Sequence, residues 1–324
     1  MSHSILYPAV LEHAAAFVQK SPWEVSRDAD LLYAAHARAR DAYGHSPVTC
    51  GIDVYHAEVE AWGGRVAPSA GGVPALAGAL FDEPSPILDL PPLEVMVSGR
   101  FPLLVNAARR LAADRDAEIQ VPLAGPVSIA VGLLGFETVL MELAEDSEVM
   151  RAALMFLARH QAALSRQLLA LGLHPVFYES GAAPPLVSPD IFRAAVVPAL
   201  TVILQPGREA GAPSACIIGG DLAGVAESLF QAGPGMVICP AETDRRIFME
   251  TAKKFPAVAV RVNMPANVLA ADDERLLFAE IDRLLPLTLE HPRGVLGTGV
   301  VPYDCDPERV RRALRYATLK NTRR

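Results

Sequence analysis

The chain has few of the features that mark several classes of protein. Only 6% of its 324 residues are aromatic, and its four cysteines form no Cys-x-x-Cys pair. Such widely spaced cysteines argue against a disulfide framework and are typical of a reduced, cytosolic protein. The formal net charge is -8, which disfavours binding to nucleic acid or to an anionic membrane surface. No apolar run reaches the roughly 18–20 residues of a membrane span, and the N-terminus lacks the layout of a signal peptide. We therefore predict a cytoplasmic protein.

Common catalytic signatures are also missing from the chain. There is no Gly-x-Ser-x-Gly, no P-loop and no His-Glu-x-x-His. A Gly-x-Gly occurs at 297–299, but the spacing that follows it is not that of a dinucleotide fingerprint. Function must therefore be sought in the overall organisation of the chain.

That organisation is a series of short β-branched runs, each ending in a polar or Gly-rich turn and followed by a helical stretch. The runs are 46–53, 117–126, 174–181, 214–221, 235–244, 257–265 and 294–304. Continuous apolar runs are typical of buried parallel strands, and their alternation with helices implies βαβ units. Seven or eight such units in about 300 residues indicate a (β/α)8 TIM barrel. We predict one α/β domain over 1–324, with 1–45 as an N-terminal helical extension.

The polar residues that follow the runs are candidates for an active site, because barrel enzymes place theirs at the carboxyl ends of the strands. They are Asp53, Glu179, Asp221, Cys239, Glu242, Asn263 and Tyr303. Asp53 and Tyr55 share one side if the strand continues, whereas His56 faces away unless the turn starts there. The Pro- and Gly-rich segment 66–94 is predicted to be a lid or a pocket wall.

Two of these groups have structural alternatives. Glu179 ends an otherwise apolar strand, so it is either a general base or a ligand of metal or substrate, or else a cap on the loop that follows. Cys239 and Glu242 precede a predicted helix that Thr243 or Asp244 would cap. Glu and Cys side chains from several strand ends can also bind zinc. The predicted metal ligands are Glu179, Cys239 and Glu242.

Five segments, in this order and spacing, carry a resemblance to a known family. They are GIDVYHAEVEAWGGRV (51–66), AGPVSIAVGLLGFE (124–137), ESGAAPPLVSPDIF (179–192), IIGGD (217–221) and LGTGVVPYDCDPERV (296–310). Together they resemble the uroporphyrinogen decarboxylase superfamily, which also contains zinc- and corrinoid-dependent methyltransferases. The resemblance implies a (β/α)8 barrel whose mouth accepts a tetrapyrrole or the corrinoid-bearing face of a partner protein.

The chain departs from both known chemistries of that superfamily. Asp53 matches the catalytic Asp of the decarboxylases, but their Arg-Gln-Ala-Gly-Arg loop is absent, their tyrosine falls near Gly132 and their late His falls on Thr298. A substrate with eight carboxylates needs fixed guanidinium groups, so decarboxylation of uroporphyrinogen is not expected. In the thiol-methylating branch, a His-x-Cys pair and a later Cys bind zinc. Those positions hold 217–219 (Ile-Ile-Gly) and Val300 here.

The resemblance therefore points to the branch that demethylates small ethers or amines. We predict a corrinoid-linked methyltransferase with Asp53, Glu179 and Tyr303 as catalytic residues. The predicted substrate-binding residues are Tyr55, His56, Asp221, Asn263 and Thr298. A separate partner protein would carry the corrinoid, because the chain is too short for a corrinoid domain and lacks an Asp-x-His-x-x-Gly motif. The superfamily also implies a possible homodimer. Two alternatives stay open, namely a decarboxylase of a tetrapyrrole or small carboxylic acid, and a non-catalytic binding barrel.

Overall fold

A computed structural model describes residues 5–70, 72–271 and 273–322. Its strands are β1 Leu6–Ala9, β2 Val48–Thr49, β3 Val66–Pro68, β4 Pro74–Leu76, β5 Ile119–Ala124, β6 His174–Tyr178, β7 Ala215–Ile217, β8 Met236–Cys239, β9 Ala259–Asn263 and β10 Gly294–Val300. Eight of them form one sheet in the order β1-β10-β9-β8-β7-β6-β5-β2, in which all neighbours are parallel. The other two, β3 and β4, form an antiparallel hairpin.

Helices connect the parallel strands, as expected when each crossover must return the chain to the same edge of the sheet. They are α1 Pro22–Ser26, α2 Ala29–Tyr43, α3 Ala57–Ala61, α4 Phe101–Asp114, α5 Pro126–Leu134, α6 Phe136–Ala144, α7 Glu148–Ala170, α8 Pro189–Ile191, α9 Val197–Glu209, α10 Ala226–Gln231, α11 Arg245–Ala252, α12 Ala266–Ala270, α13 Glu274–Leu289 and α14 Pro307–Thr322. Each of the seven predicted runs contains a strand, and the α/β TIM-barrel class is confirmed.

The strand that the sequence did not reveal is β1. We predicted 1–45 as a helical extension, and most of its described part is helical, but Leu6–Ala9 pairs in parallel with β10 and places Leu6 opposite Leu296. Leu6 is completely buried, and the N–H of Ala9 donates to Oγ1 of Thr298 at 2.9 Å. The segment therefore supplies a barrel strand as well as helices. A stretch of four residues that contains Pro8 is too short to be recognised in the sequence as an apolar run.

Two apolar clusters hold the fold together. The larger one fills the layer between the sheet and the surrounding helices. The smaller one lies inside the barrel and consists of Leu11, Val54, Val176, Tyr178, Ala215, Ile217 and Ile238. The helical stretch Pro189–Glu209 is long and apolar enough to pass a composition test for a membrane span, but 44% of its most apolar window is buried and α9 packs against α7. We interpret it as a helix of the barrel shell.

Candidate functional site

A cavity of about 460 Å³ opens at the carboxyl ends of the strands. Its floor is formed by side chains of four neighbouring strands, Tyr178 on β6, Ile217 on β7, Ile238 on β8, and Arg261 with Asn263 on β9. Its walls come from the segments that follow β1 and β2 and from the end of β10. This is the position of the active site in (β/α)8 enzymes, and the volume suits a small ligand.

A second cavity, of about 440 Å³, adjoins the first and shares Tyr55, His56 and Ser180 with it. It extends between the β3–β4 hairpin and α5, where glycines at 78, 132 and 135 keep it open. Segment 66–94 contributes Val73 and Pro74 to the first cavity, and Leu76, Gly78 and Ala79 to the second. That segment therefore forms part of the pocket wall, as the sequence predicted.

Asp53 borders the first cavity but is already paired. Nη2 of Arg100 lies 2.5 Å from Oδ1 and 2.6 Å from Oδ2 of Asp53. Nε of Arg100 lies 2.9 Å from Oε2 of Glu60, which also pairs with Arg27. Burial raises the pKa of Asp53, but His56 and Arg100 outweigh burial and leave the pKa below its ordinary value. A paired carboxylate of low pKa is a poor base, so Asp53 is better suited to orienting His56, whose Nδ1 is 3.7 Å from Oδ2.

Tyr55 lies where the two cavities meet. Its hydroxyl is 2.5 Å from Oγ of Ser180, and its ring meets that of Tyr178 edge to face, with 6.2 Å between centroids. Burial raises the pKa of Tyr55; the hydrogen bond to Ser180 lowers it in part, and the nearby charge of Glu179 raises it further. The hydroxyl therefore stays protonated at neutral pH and can donate a proton to a bound ligand.

Arg261 is a site residue that the sequence analysis missed. It lies in the cavity floor, its Nε donates to Oδ1 of Asn263 at 3.2 Å, and its Cζ lies 4.8 Å from the centroid of the Tyr7 ring. Gly297 on the neighbouring strand makes room for both side chains, because a Cβ there would overlap Arg261 and Asn263. The available signal was a single charged residue inside the apolar run 257–265.

Glu179 lies outside the lining of both cavities. It is completely buried and binds the first turn of α5: Oε2 accepts from the N–H of Val127 at 3.0 Å, and Oε1 accepts from the N–H and the Oγ of Ser128, both at 2.7 Å. Burial raises its pKa to about 7, while the hydrogen bonds from Ser128 and Val127 act in the opposite direction. The structural alternative thus fits the geometry, although the capped segment is α5 and not the loop after β6.

Four further predicted residues do not border the cavities. Oγ1 of Thr298 is used to bind β1, and Oδ1 of Asp221 accepts the N–H of Ala223 at the surface. Tyr303 packs against the core, and Cys239 is completely buried. By contrast, the first cavity does bring together five predicted residues, namely Asp53, Tyr55, His56, Glu242 and Asn263.

The predicted zinc ligands are not brought together. Among the residues that the structure describes, no group of three or more His, Cys, Asp or Glu is placed to hold a metal. Burial raises the pKa of the Cys239 thiol to about 12, which disfavours the thiolate that zinc requires. Glu242 is exposed at the cavity rim, and Asp244 caps α11 by accepting two backbone N–H bonds. These residues do not fit the predicted zinc site.

Comparison with known proteins places this geometry in a family. Among solved structures, a methyltransferase from Methanosarcina mazei superposes with a TM-score of 0.83 at 15% identity, covering 99% of this chain and 95% of that one. A 2,3-dimethylmalate lyase of the PEP mutase/isocitrate lyase superfamily matches with a TM-score of 0.29 at 15% identity, over 67% of this chain and 79% of that one. No curated protein matches. The family model described as uroporphyrinogen decarboxylase (URO-D) matches residues 8–317, nearly the whole chain, and the chain therefore belongs to the uroporphyrinogen decarboxylase family.

Proposed function

We propose that this protein is a methyltransferase that moves a methyl group between a small substrate and a corrinoid carried by a separate protein. The observation that carries the proposal is the first cavity, which is small, largely apolar and provided with one buried guanidinium group, that of Arg261. The likeness in fold to the Methanosarcina mazei methyltransferase, over nearly the full length of both chains, supports it.

The same cavity argues against uroporphyrinogen as the substrate. A tetrapyrrole with eight carboxylates would need several fixed cations, and the cavity lining supplies Arg261 alone besides His56. Asp53, which matches the catalytic Asp of the decarboxylases, is neutralised by Arg100. The cavity therefore favours a substrate with few charges.

The second cavity suits the approach of a corrinoid-bearing partner. Glycines at 78, 132 and 135 border it together with Leu76 and Phe136, so this part of its wall is apolar and open. Its larger polar side chains, Tyr55 and His56, lie on the side that it shares with the first cavity. Phe136 is half exposed at its edge. A corrinoid bound there on its carrier would supply the metal centre that accepts or gives the methyl group.

Residues of this chain would supply the proton that the leaving group needs. When a methyl group leaves an ether or amine, the heteroatom keeps the bonding electron pair and must be protonated. Tyr55 Oη, protonated and hydrogen-bonded to Ser180, is placed to donate that proton. His56, beside Asp53 at the junction of the two cavities, is placed to return a proton to the site. The apolar floor around Tyr178 excludes water from the leaving group.

The test is methyl transfer between free cobalamin and small substrates. Purified protein is incubated without oxygen with cob(I)alamin and methyl ethers or amines, and with methylcobalamin and the demethylated products. Formation or loss of methylcobalamin is followed by absorbance. We expect transfer by the wild type and a loss of about 10²-fold in Tyr55→Phe, the scale of a lost proton donor. Tyr33→Phe is the matched control, because its hydroxyl bonds to Asp114 at the surface.

Other outcomes separate the alternatives. Release of carbon dioxide from a small carboxylic acid, without methyl transfer, would identify a decarboxylase. Ligand binding without turnover of any kind would identify a non-catalytic barrel. We further propose a cytoplasmic location, since all four cysteines are free and buried, and a homodimer, which sedimentation of the purified protein would test.

A further inference from the structure

Three arginines of the described chain are buried, and two of them are compensated. Arg100, 7% exposed, pairs with two carboxylates, and Arg309, 4% exposed, donates to three backbone carbonyl oxygens. Arg261, also 7% exposed, has neither kind of partner. Because burying a cation without compensation is costly, Arg261 requires a separate explanation.

The contacts of Arg261 leave its charge unbalanced. Its Nε donates to the neutral Asn263, and its guanidinium lies over the neutral ring of Tyr7. No carboxylate of the described residues forms an ion pair with it. A hydrogen bond to the neutral hydroxyl of Tyr7 does not compensate the charge either, and the Arg261 side chain lines the first cavity.

We propose that Arg261 binds a carboxylate of the substrate at the floor of the first cavity, with Asn263 holding the guanidinium in place. The inference deepens the proposed function and rests on it only in treating the ligand as the methyl-transfer substrate. The planar guanidinium matches a carboxylate through two parallel hydrogen bonds. Glu12 and Glu242 also border the cavity, and these acidic groups disfavour a dianion such as phosphate.

The rest of the cavity defines the remainder of the ligand. Tyr178, Ile217 and Ile238 surround the space beside Arg261, and they suit an aromatic or aliphatic body. Tyr55 lies where the two cavities meet, and its ring contacts that of Tyr178. A ligand with its carboxylate on Arg261 and its body against Tyr178 would present its other end, the methylated heteroatom, to the Tyr55 hydroxyl.

The experiment compares benzoate with benzamide, which has the same shape and no charge. Binding is measured by calorimetry on the wild type and on Arg261→Gln, Arg261→Lys and Arg246→Gln; the last removes an exposed charge from α11. We expect the wild type to bind benzoate more tightly than benzamide. Arg261→Gln should bind benzoate at least about tenfold more weakly than the wild type does, as expected when a charge-assisted pair is lost. Arg261→Lys should lose part of it, and Arg246→Gln should be unchanged.

The ligand-free proteins give a second readout. Because Arg261→Gln removes an uncompensated charge, its melting temperature should equal or exceed that of the wild type, by up to about 2 °C. Arg261→Lys keeps the charge and provides a folded comparison if the Gln variant is unstable. Equal binding of benzoate and benzamide, equal binding of inorganic phosphate, or unchanged benzoate affinity in both Arg261 variants would overturn the proposal.

These measurements need no corrinoid and no partner protein. If benzoate binds through Arg261 while no methyl transfer is found, the carboxylate site stands and the proposed function fails. If methyl transfer occurs and Arg261→Gln affects substrates with and without a carboxylate equally, the proposed function stands and the carboxylate site fails.

Discussion

At the scale of single residues, Asp53 and Arg100 form a buried ion pair at the mouth of the barrel. In Arg100→Met, Asp53 would lose the buried guanidinium group and keep only His56 nearby. Glu60 would lose one of its two arginine partners and keep the other, Arg27. We expect a loss of about 3–5 kcal/mol in the free energy of unfolding, the usual cost of leaving one buried charge unpaired. Urea denaturation measures it.

The control for that change is Arg110→Met, which breaks an ion pair with the exposed Asp30. Exposed pairs contribute at most about 1 kcal/mol, so the two variants should differ several-fold in their effect. If Arg100→Met cost no more than Arg110→Met, Asp53 would have to be solvated or protonated in the folded protein, and its assignment as a fixed anion would be wrong.

At the scale of elements, the end of β5, the start of α5 and the end of β6 form one joint. Glu179 follows β6 and binds the first turn of α5, and Gly125 lies between them. A Cβ at position 125 would overlap the carboxylate of Glu179. Gly125→Ala should therefore cost about 1–3 kcal/mol, as overpacking does. Gly219→Ala is the control, because a Cβ there meets nothing within 4 Å. Thermal unfolding of both variants would measure the two losses of stability and show whether Glu179 can move aside for a Cβ at position 125.

The elements also show what the sequence could and could not predict. Seven strands were visible because each is a continuous apolar run followed by a helix, a pattern set by burial on both faces. β1 was not visible, because its four residues form a strand only by pairing with β10, which lies far away in the sequence.

The site, too, could be predicted only in part from the sequence. Asp53, Tyr55, His56 and Asn263 follow from their place at strand ends, whereas the partner of Asp53 lies 47 positions away, at Arg100.

At the scale of the whole molecule, buried ionisable groups oppose one another in the pH dependence of stability. Burial lowers the pKa of His36 to about 4 and that of His45 to about 3. The unfolded chain binds these protons first, so both histidines make stability rise with pH up to about 6.5. Glu179 acts in the opposite direction, because its pKa is raised from 4.5 to about 7. Its contribution is fully present below pH 4.5 and is lost as the pH rises through 7.

Replacing Glu179 with Gln separates these contributions, because the variant keeps the histidines and removes the titrating carboxylate. The advantage in unfolding free energy of the wild type over Glu179→Gln should shrink by about 3 kcal/mol between pH 4.5 and pH 7, because burial raises the pKa of Glu179 from 4.5 to about 7. Glu137→Gln, which changes an exposed carboxylate on α6, should run parallel to the wild type. Urea denaturation across this pH range measures all three proteins. A difference independent of pH would mean that Glu179 is ionised throughout, held by the N–H groups of α5 strongly enough to overcome its burial.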